Sequence, residues 1–360
     1  MQYHILTTER CNLSCSYCGG TRIIEGIPLD TEYSVSDLKR FIAMDPDPVI
    51  GFYGGEPLLA KDRIAEIMDA IPASAFTLQT NGTLLHLLDE EHLRRFHSIL
   101  VSLDGPREVT DHSRGEGIYD AVMENLKLIR SRGFKGDLIA RMAFSDRGDI
   151  YRDVMHLLTV EDGIFDHVHW QMDVFWSDLE ARGDISSWIE RYDAGIQGLI
   201  SEFGRSFMTG KVLGMVPFIP VMGSILSGKP TTIRCGSGID SFSIMTSGEI
   251  HACPIAPELL YSKVGAIISS TPGSIRGSRP VGSPCPECDI VGLCGGRCLY
   301  SNMTMSWGRE WFDRVCLSTR RMIGGLRGLK DHALTMMENG VLSRDAFDYP
   351  EINNGCEIIP

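Results

Sequence analysis

The chain has no surplus of basic residues: 34 Lys and Arg stand against 47 Asp and Glu, which gives a net charge of −13. A nucleic-acid binder needs excess positive charge to meet the phosphates, so no nucleic-acid partner is expected. The N-terminus lacks a basic segment followed by a long apolar run, so no secretory signal is expected. The longest apolar run, residues 212–226, contains glycine and proline and is too short to cross a bilayer. We therefore predict a buried connector there and no membrane partner.

Disulfide bonds are also disfavoured. The chain has 11 cysteines, an odd number that cannot be fully paired within one molecule. Many cysteines without an export signal indicate metal binding rather than a disulfide framework. We expect a reducing, anaerobic cytoplasm as the location.

The first half of the chain alternates short apolar runs with amphipathic stretches. This alternation predicts an α/β fold with a parallel sheet and right-handed crossovers. One helix is predicted from Ile118, which shares an apolar face with Val122 and is followed by Gly133 as a C-terminal signal; Ser36 is the predicted N-cap of an earlier helix. Six strand–helix units make a partial (β/α)6 TIM-like barrel. The predicted strands are residues 3–7, 49–53, 76–79, 99–103, 138–143 and 168–173.

The composition changes after Arg234, where cysteine, glycine and proline become dense and periodicity fades. Such a segment has little core of its own, so we predict a small cysteine-rich domain held together by metal sites. We expect the barrel at 1–215, a connector at 216–233, the cysteine-rich domain at 234–325, and a C-terminal helix and tail at 326–360. The one helix predicted in the tail covers residues 331–338.

Cys11, Cys15 and Cys18 stand as C-x3-C-x2-C just after the first predicted strand. Three thiolates at this spacing can hold three irons of a 4Fe–4S cubane and leave the fourth iron without a protein ligand. An iron of this kind can bind a substrate or a cofactor. A partial zinc site is the alternative, but structural zinc needs four ligands and the nearest downstream histidine is His86.

Polar motifs follow the predicted strands at the places where the strands end. The carboxyl ends of parallel strands share one face of a barrel, and active sites form there. Each motif alone is compatible with an ordinary turn. Their joint placement predicts one active-site mouth. The motifs are the cysteine loop, residues 54–57, 80–82 and 102–105, and the side chains of Arg141, Gln171 and Asp173.

At these residues the chain resembles the radical S-adenosylmethionine (SAM) superfamily. The three cysteines, with Tyr17 before the last of them, match the cluster motif of that superfamily. Gly-Gly-Glu-Pro at 54–57 resembles the motif that holds the methionine amine of SAM, and glycine permits the close approach this requires. A guanidinium such as that of Arg141 is a natural partner for the SAM carboxylate. The cofactor contacts implied are Tyr17, Gly54, Gly55, Glu56, Pro57, Asn81, Ser102, Asp104 and Arg141, and the catalytic candidates are Arg141, Gln171 and Asp173.

Two further readings at the mouth stay open. His112 and Arg114 belong to a short motif, Asp-His-Ser-Arg-Gly, that either serves the active site or caps the next helix. Trp170 either faces the substrate or belongs to the core.

A second group of cysteines occupies the second half of the chain. The run C-x2-C-x5-C-x3-C from residue 285 to 298 is compatible with a zinc ribbon when it is taken alone. With the barrel motifs, the pattern resembles the SPASM subgroup of radical SAM enzymes. That resemblance implies two auxiliary 4Fe–4S clusters, three clusters in all. The outer cluster would be held by Cys285, Cys288, Cys294 and Cys316, and the inner cluster by Cys235, Cys253 and Cys298.

The chain departs from anaerobic sulfatase-maturating enzymes of this subgroup at two positions. Lys229 stands where those enzymes have an extra cluster cysteine, and Pro254 stands where they have a catalytic aspartate. Formylglycine formation is therefore disfavoured. The inner cluster either keeps an open iron or takes a fourth ligand from Cys356, His251 or a carboxylate; otherwise Cys356 is a free thiol in the tail.

Within the subgroup, the chain resembles archaeal peptide-modifying enzymes. The resemblance implies hydrogen abstraction from a ribosomally made peptide or protein by a 5′-deoxyadenosyl radical, with electrons from a flavodoxin- or ferredoxin-type reductant. The modification would be a thioether or carbon–carbon bond, an epimerisation or an oxidation. Chemistry on a small molecule or cofactor precursor is the first alternative, and a non-catalytic iron–sulfur carrier is the second. Because the barrel begins at residue 3, no peptide-recognition domain is expected before it.

Overall fold

The computed structural model describes residues 1–18, 26–173, 183–255, 257, 259–350 and 352. Within these residues the strands form one mixed sheet. They are β1 (Gln2–Leu6), β2 (Val49–Tyr53), β3 (Ala75–Thr80), β4 (Phe96–Ser102), β5 (Asp137–Phe144), β6 (His167–Met172), β7 (Ser241–Ile244), β8 (Glu249–His251) and β9 (Lys263–Ala266).

The sheet order is β6-β5-β4-β3-β2-β1-β7-β8-β9, and β1 to β6 pair in parallel. Their side chains are buried almost throughout, as expected for strands that are covered by helices on one face and enclosed on the other. The predicted partial (β/α)6 barrel is therefore confirmed. The largest boundary error is at β4, which starts three residues before the predicted residue 99.

The sheet does not stop at the barrel. β7 pairs in parallel with β1, with Ile5 opposite Ile244, and β8 and β9 continue the sheet in antiparallel pairing. These strands of three or four residues are too short to show a period in the sequence. The cysteine-rich segment is thus joined to the barrel by main-chain hydrogen bonds.

The longer helices cover the outer face of the barrel or pack beneath the cysteine-rich segment. The α-helices of the described residues are α1 (Val35–Ile42), α2 (Lys61–Ala70), α3 (Glu90–Leu93), α4 (Arg107–Arg114), α5 (Ile118–Ser131), α6 (Ile150–Thr159), α7 (Ile185–Ser206), α8 (Ile219–Ser227), α9 (Pro272–Ile275), α10 (Val291–Cys294), α11 (Leu299–Thr304), α12 (Gly308–Gly328) and α13 (Lys330–Glu338).

The termini of α1 and α5 have identifiable local causes. Ser34, not the predicted Ser36, is the N-cap of α1, because its hydroxyl accepts a hydrogen bond from the main-chain N–H of Asp37 while Ser36 lies inside the helix. The prediction for α5 is confirmed: Val122 and Leu126 are buried on its inner face. Gly133 follows α5 with a φ of +87°, a left-handed conformation that favours glycine.

Residues after 234 contribute to the common core. Helix α12 packs along α7, where Ile323 and Leu326 are buried, and Arg321 forms an ion pair with Asp193. The sequence predicted little core in this segment, because only the cysteines, not α12, were visible as a pattern. The four domain ranges given above stay a prediction.

The connector at 212–226 is buried as expected, with Val216 and Phe218 fully inaccessible. The main-chain N–H of Val216 donates to Val168 of β6 at 3.0 Å. Within the described ranges, no helix combines the length and the apolar character that crossing a membrane would require.

Candidate active site at the carboxyl edge of the barrel

The loop that follows β1 carries the first three cysteines. Cys11 and Cys18 are exposed and Cys15 is half-buried, and none of the three forms a disulfide bond. The main-chain N–H of Cys18 donates to the carbonyl of Cys15 at 3.0 Å, which folds the loop back on itself. Burial raises the pKa of Cys15 to about 11, so this thiol keeps its proton until a metal replaces it. The donor chemistry of the loop fits a cluster bound through three thiolates.

The loop after β2 holds the chain that leads into these cysteines. The N–H of Gly55 donates to the carbonyl of Thr8 at 2.9 Å, and the N–H of Glu56 donates to the carbonyl of Arg10 at 2.7 Å. A Cβ on Gly54 would lie 2.2 Å from the Thr8 oxygen, and one on Gly55 would lie 2.3 Å from the Arg10 oxygen. Glycine is needed at both positions because two main chains touch there.

The Glu56 side chain is fully buried and ties β2 to the end of β3. Its carboxylate accepts from the hydroxyl of Thr80 at 2.7 Å and from the N–H of Asn81 at 2.7 Å, and also from the N–H of Leu58 at 3.1 Å. Burial raises the pKa of Glu56. Within the Gly-Gly-Glu-Pro motif only the two glycines remain partly exposed. The predicted contact of Glu56 with the SAM amine stays a prediction.

Asn81 lies against the cysteine loop. Its side-chain amide donates to Asn12 at 2.8 Å and lies 3.9 Å from the sulfur of Cys11. Its oxygen accepts from the N–H and the hydroxyl of Thr83. These bonds fix the side chain beside a predicted iron ligand.

Asp104, at the end of β4, is the most heavily bonded side chain of the mouth. Arg114 binds it with two parallel hydrogen bonds of 2.8 Å, the hydroxyl of Tyr17 donates at 2.6 Å, and the N–H of Ala143 donates at 2.9 Å. The Asp104 side chain is 1% exposed. Four donors fill the usual acceptor capacity of a carboxylate. The predicted ribose contact of Asp104 stays a prediction, and Ser102 is half-buried beside it.

The role of Arg114 was left open by the sequence. In the structure Arg114 is buried in α4, and its guanidinium stacks 5.4 Å from the ring centre of Tyr17. The main-chain N–H of Ser16 also donates to the carbonyl of Ser113, one residue earlier in α4. Helix α4 therefore holds the middle of the cysteine loop, and His112 lies exposed in the same helix.

The catalytic candidates lie side by side on β5 and β6. The guanidinium of Arg141 donates to the amide oxygen of Gln171, and the N–H of Asp173 donates to Phe144 at 2.9 Å. Arg141 and Asp173 are buried. Trp170, in contrast, belongs to the core: it is fully buried and packs edge-on against Phe218.

The cysteines of the second half form the two sets that the resemblance implied. All three cysteines of the inner set, Cys235, Cys253 and Cys298, are buried. Burial raises the pKa of the Cys253 thiol, and the neighbouring thiols of Cys298 and Cys235 raise it further. Burial raises the pKa of Cys285 to about 11, and the thiols that add to this rise are the other three of the outer set, Cys288, Cys294 and Cys316.

No group of three or more His, Cys, Asp or Glu side chains in the described parts of the chain is arranged around a single metal ion. His251, one candidate fourth ligand of the inner set, has its ring nitrogens 3.3 Å from Ser262 and 3.4 Å from Glu249. Cys356, another candidate, lies outside the described residues. Lys229 is exposed and Pro254 is half-buried.

Comparisons with known proteins place this geometry in a class. Residues 5–156 match the family model described as the radical SAM superfamily. The chain is 31% identical over 173 residues to an uncharacterized protein of Archaeoglobus fulgidus, and the aligned region covers 47% of this chain and 37% of the relative. It is 34% identical over 134 residues to a probable GTP 3′,8-cyclase of Methanocella arvoryzae, and that aligned region covers 36% of this chain and 43% of the relative. The chain thus spans less than half the length of either.

Two solved structures share the fold. Native anSMEcpe with bound AdoMet has a TM-score of 0.74 at 18% identity and covers 93% of this chain and 99% of its own. Streptococcus suis SuiB bound to precursor peptide SuiA has a TM-score of 0.54 at 16% identity, and the match covers 82% of this chain and 71% of the SuiB chain. The predicted resemblance to the radical SAM superfamily is therefore confirmed over residues 5–156, and the likeness to the two solved structures shows a shared fold.

Proposed function

We propose that the protein is a radical SAM enzyme that cleaves SAM reductively and abstracts a hydrogen atom from a peptide or protein substrate. The observation that supports this most directly is that two other segments of the chain hold the cysteine loop through main-chain hydrogen bonds. The loop after β2 holds the approach to Cys11, and α4 holds Ser16 between Cys15 and Cys18. Such double support is what a site needs when it must hold a cofactor in one orientation.

The side chains of the mouth divide the binding of SAM between them. The three thiols would hold a 4Fe–4S cluster, leaving one iron for the amine and carboxylate of SAM. We expect the partly exposed backbone of Gly54 and Gly55 to contact the amine, and Arg141 to contact the carboxylate. When bound and reduced, the cluster supplies the electron that breaks the sulfur–C5′ bond.

The auxiliary sets complete the proposal. Cys285, Cys288, Cys294 and Cys316 hold an outer 4Fe–4S cluster, and Cys235, Cys253 and Cys298 hold an inner one. His251 is engaged with Ser262 and Glu249, which favours an open iron on the inner cluster or a ligand from elsewhere. An open iron there can bind a substrate cysteine thiolate during carbon–sulfur bond formation.

A peptide substrate is favoured over a small molecule by the extent of the structural likeness. The anSMEcpe fold covers nearly the whole chain, cysteine-rich segment included, and SuiB is a structure with its precursor peptide bound. The resemblance to GTP 3′,8-cyclases covers 36% of the chain. Nucleotide chemistry is therefore the second candidate function.

Anaerobic reconstitution with SAM and a strong reductant tests the proposal. We expect 5′-deoxyadenosine to form, and the mass of a cognate peptide to change when candidate peptides are added. A GTP arm distinguishes the second candidate, since a change in GTP with no change in any peptide would favour it. Fully loaded protein that yields no 5′-deoxyadenosine would leave only an iron–sulfur carrier.

A further inference from the structure

Arg297 lies in the sequence between a cysteine of the outer auxiliary set and a cysteine of the inner auxiliary set. It comes three residues after Cys294 of the outer set and directly before Cys298 of the inner set. Gly295, Gly296 and Arg297 have φ angles of +72°, +93° and +62°. The left-handed region is unfavourable for a residue that has a Cβ. The surrounding structure must therefore impose this backbone, and with it the direction of the Arg297 side chain.

The glycines before Arg297 explain how the backbone reaches this position. A Cβ on Gly295 would lie 1.9 Å from the carbonyl oxygen of Thr232, so the loop passes directly against another main chain. A Cβ on Gly296 would meet the side chain of Val281 at 2.8 Å. These close contacts place the loop inside the protein, so that Arg297 is buried.

The Arg297 guanidinium is a buried charge. Its residue is 4% exposed, and its Nε has no hydrogen-bond partner among the described residues. The guanidinium carbon lies 5.4 Å from the centre of the Phe312 ring. A cavity of about 20 Å³ beside Arg297 has room for about one water, too little for a substrate group. A buried cation needs an anion, because leaving it uncompensated costs several kcal/mol.

Thiols are the candidate anions around Arg297. Phe312, whose ring the guanidinium faces, lies on α12 one helical turn before Cys316 and on the same side of the helix, so the charge lies close to that thiol. Burial raises the pKa of Cys285, Cys294, Cys298 and Cys316, and the positive charge of Arg297 opposes this rise at all four. Three of these residues belong to the outer set and Cys298 belongs to the inner set. Metal-bound thiolates in both sets would therefore lie within reach of one fixed positive charge.

We propose that Arg297 raises the reduction potential of the outer auxiliary cluster by placing a buried positive charge beside its thiolate ligands. The inference rests on the cluster assignment under the proposed function. Reduction adds one negative charge to the cluster, and a nearby cation stabilises that charge most where water is excluded. Arg297 is thus a positioning charge that tunes the cluster; it does not bind iron or substrate.

Arg320 provides a matched control in the same set. Its guanidinium lies 3.0 Å from the sulfur of Cys288, so it too touches an outer ligand. Unlike Arg297, it is 40% exposed and paired with Asp289 at 2.5 Å. Its charge is screened by solvent and offset by the carboxylate. Removing it should change the potential little.

The test is an anaerobic redox titration of the reconstituted protein, followed by electron paramagnetic resonance, with iron content measured in parallel. Arg297→Gln should lower the reduced-to-oxidised ratio of the outer cluster at a fixed potential about tenfold, which is about 59 mV for one electron. Arg297→Lys should recover most of that shift, and Arg320→Gln should change the ratio less than twofold.

Unchanged potentials in Arg297→Gln, or equal shifts in Arg297→Gln and Arg320→Gln, would overturn the proposal. Loss of outer-cluster iron in Arg297→Gln, with full iron in Arg320→Gln, would also overturn it, because it would show a structural role for Arg297. Wild-type protein without auxiliary iron contradicts both the cluster assignment and this inference. Absence of SAM cleavage with auxiliary clusters intact contradicts the proposed function alone.

Discussion

Asp104 links three separate parts of the mouth through one carboxylate. It receives Tyr17 from the cysteine loop, Arg114 from α4 and the main chain of Ala143 on β5. Because Asp104 and Arg114 are both almost fully buried, their charges depend on each other. The orientation of the cysteine loop therefore depends on this buried ion pair.

Replacing Asp104 with Asn should destabilise the fold by about 3–5 kcal/mol, because it leaves the Arg114 guanidinium buried without a counter-charge. The free energy of unfolding of the apoprotein in denaturant measures this directly. Asp120→Asn is the matched control: it breaks the half-exposed pair with Arg107 and should cost no more than about 1 kcal/mol. Equal costs for the two variants would show that the buried pair has no special role.

At the residue scale, the spacing of the cysteines predicts iron ligands, and this assignment stays a prediction. In the structure Cys253 lies near Cys235 and Cys298, and Cys285 lies near the other three cysteines of the outer set. The sequence named Arg114 but not its pairing with Asp104, because a bidentate ion pair between the end of β4 and α4 leaves no local pattern. Glu56 was identified as a site residue, but its inward direction depends on Thr80 of another strand.

At the scale of elements, the mouth depends on loops that support each other. In the loop after β2, the N–H groups of Gly55 and Glu56 donate to main-chain carbonyls of the segment that leads to Cys11. Gly55 has no positive φ, so a side chain there would disturb this contact through its size and not through the backbone conformation.

Gly55→Ala should disturb the cysteine loop, because the new Cβ would lie 2.3 Å from the Arg10 carbonyl oxygen. We expect lower iron retention on the first cluster and at least a tenfold loss of SAM cleavage. Gly324→Ala on α12 is the control: no atom lies within 4 Å of its new Cβ, so it should be neutral or stabilise the helix by about 0.5–1 kcal/mol. Wild-type iron retention in Gly55→Ala would refute the clamping role of this loop.

Helix α3 carries a pH-dependent contact outside the mouth. Burial lowers the pKa of His92, but hydrogen bonds to Asp89 and to Asp69 of α2 outweigh this, and the net effect raises the pKa above its usual 6.5. The contribution of protonated His92 to stability is therefore full below pH 6.5 and is lost as pH rises through the raised pKa.

His92→Gln should thus cost stability at pH 5.5 and cost less as pH increases above neutrality. Unfolding of the apoprotein in denaturant across pH 5.5–8.5 gives this difference, with His86→Gln as a surface control. A destabilisation of His92→Gln that does not change with pH would contradict this assignment.

Long elements could be predicted from the sequence, and short ones could not. β1 to β6 and α5 have long buried runs, and the sequence located them. The cap at Ser34 was displaced by two residues, because Ser34 and Ser36 are equally good caps and only tertiary packing chooses between them. β7 to β9 are too short to carry a period, and they depend on β1 for a pairing partner.

For the whole molecule, the central feature is that one sheet joins the barrel to the cysteine-rich segment. β1 leads into the first cysteine loop at its end and pairs along its length with β7 of the cysteine-rich segment. Main-chain hydrogen bonds therefore connect the two parts of the chain that carry the predicted iron ligands. Under the proposed cluster assignment, fixed positions of this kind suit electron transfer between the clusters.

Removing one predicted cluster at a time tests whether the two parts of the chain function separately. Cys288→Ala should lose iron of the outer auxiliary cluster while SAM cleavage without substrate persists. Product formation with a cognate peptide should fall, because the auxiliary cluster no longer exchanges electrons. Iron analysis with paired assays of cleavage and peptide mass separates these effects. Loss of SAM cleavage in Cys288→Ala would mean that the two halves do not function separately.

The most direct measurement is 5′-deoxyadenosine formed from SAM by the reduced, reconstituted wild type and by Cys15→Ala, with iron content determined for both. The account predicts product from the wild type, and none from Cys15→Ala, which should retain the auxiliary iron. Product from Cys15→Ala equal to that of the wild type, or no product from fully iron-loaded wild type, would contradict it.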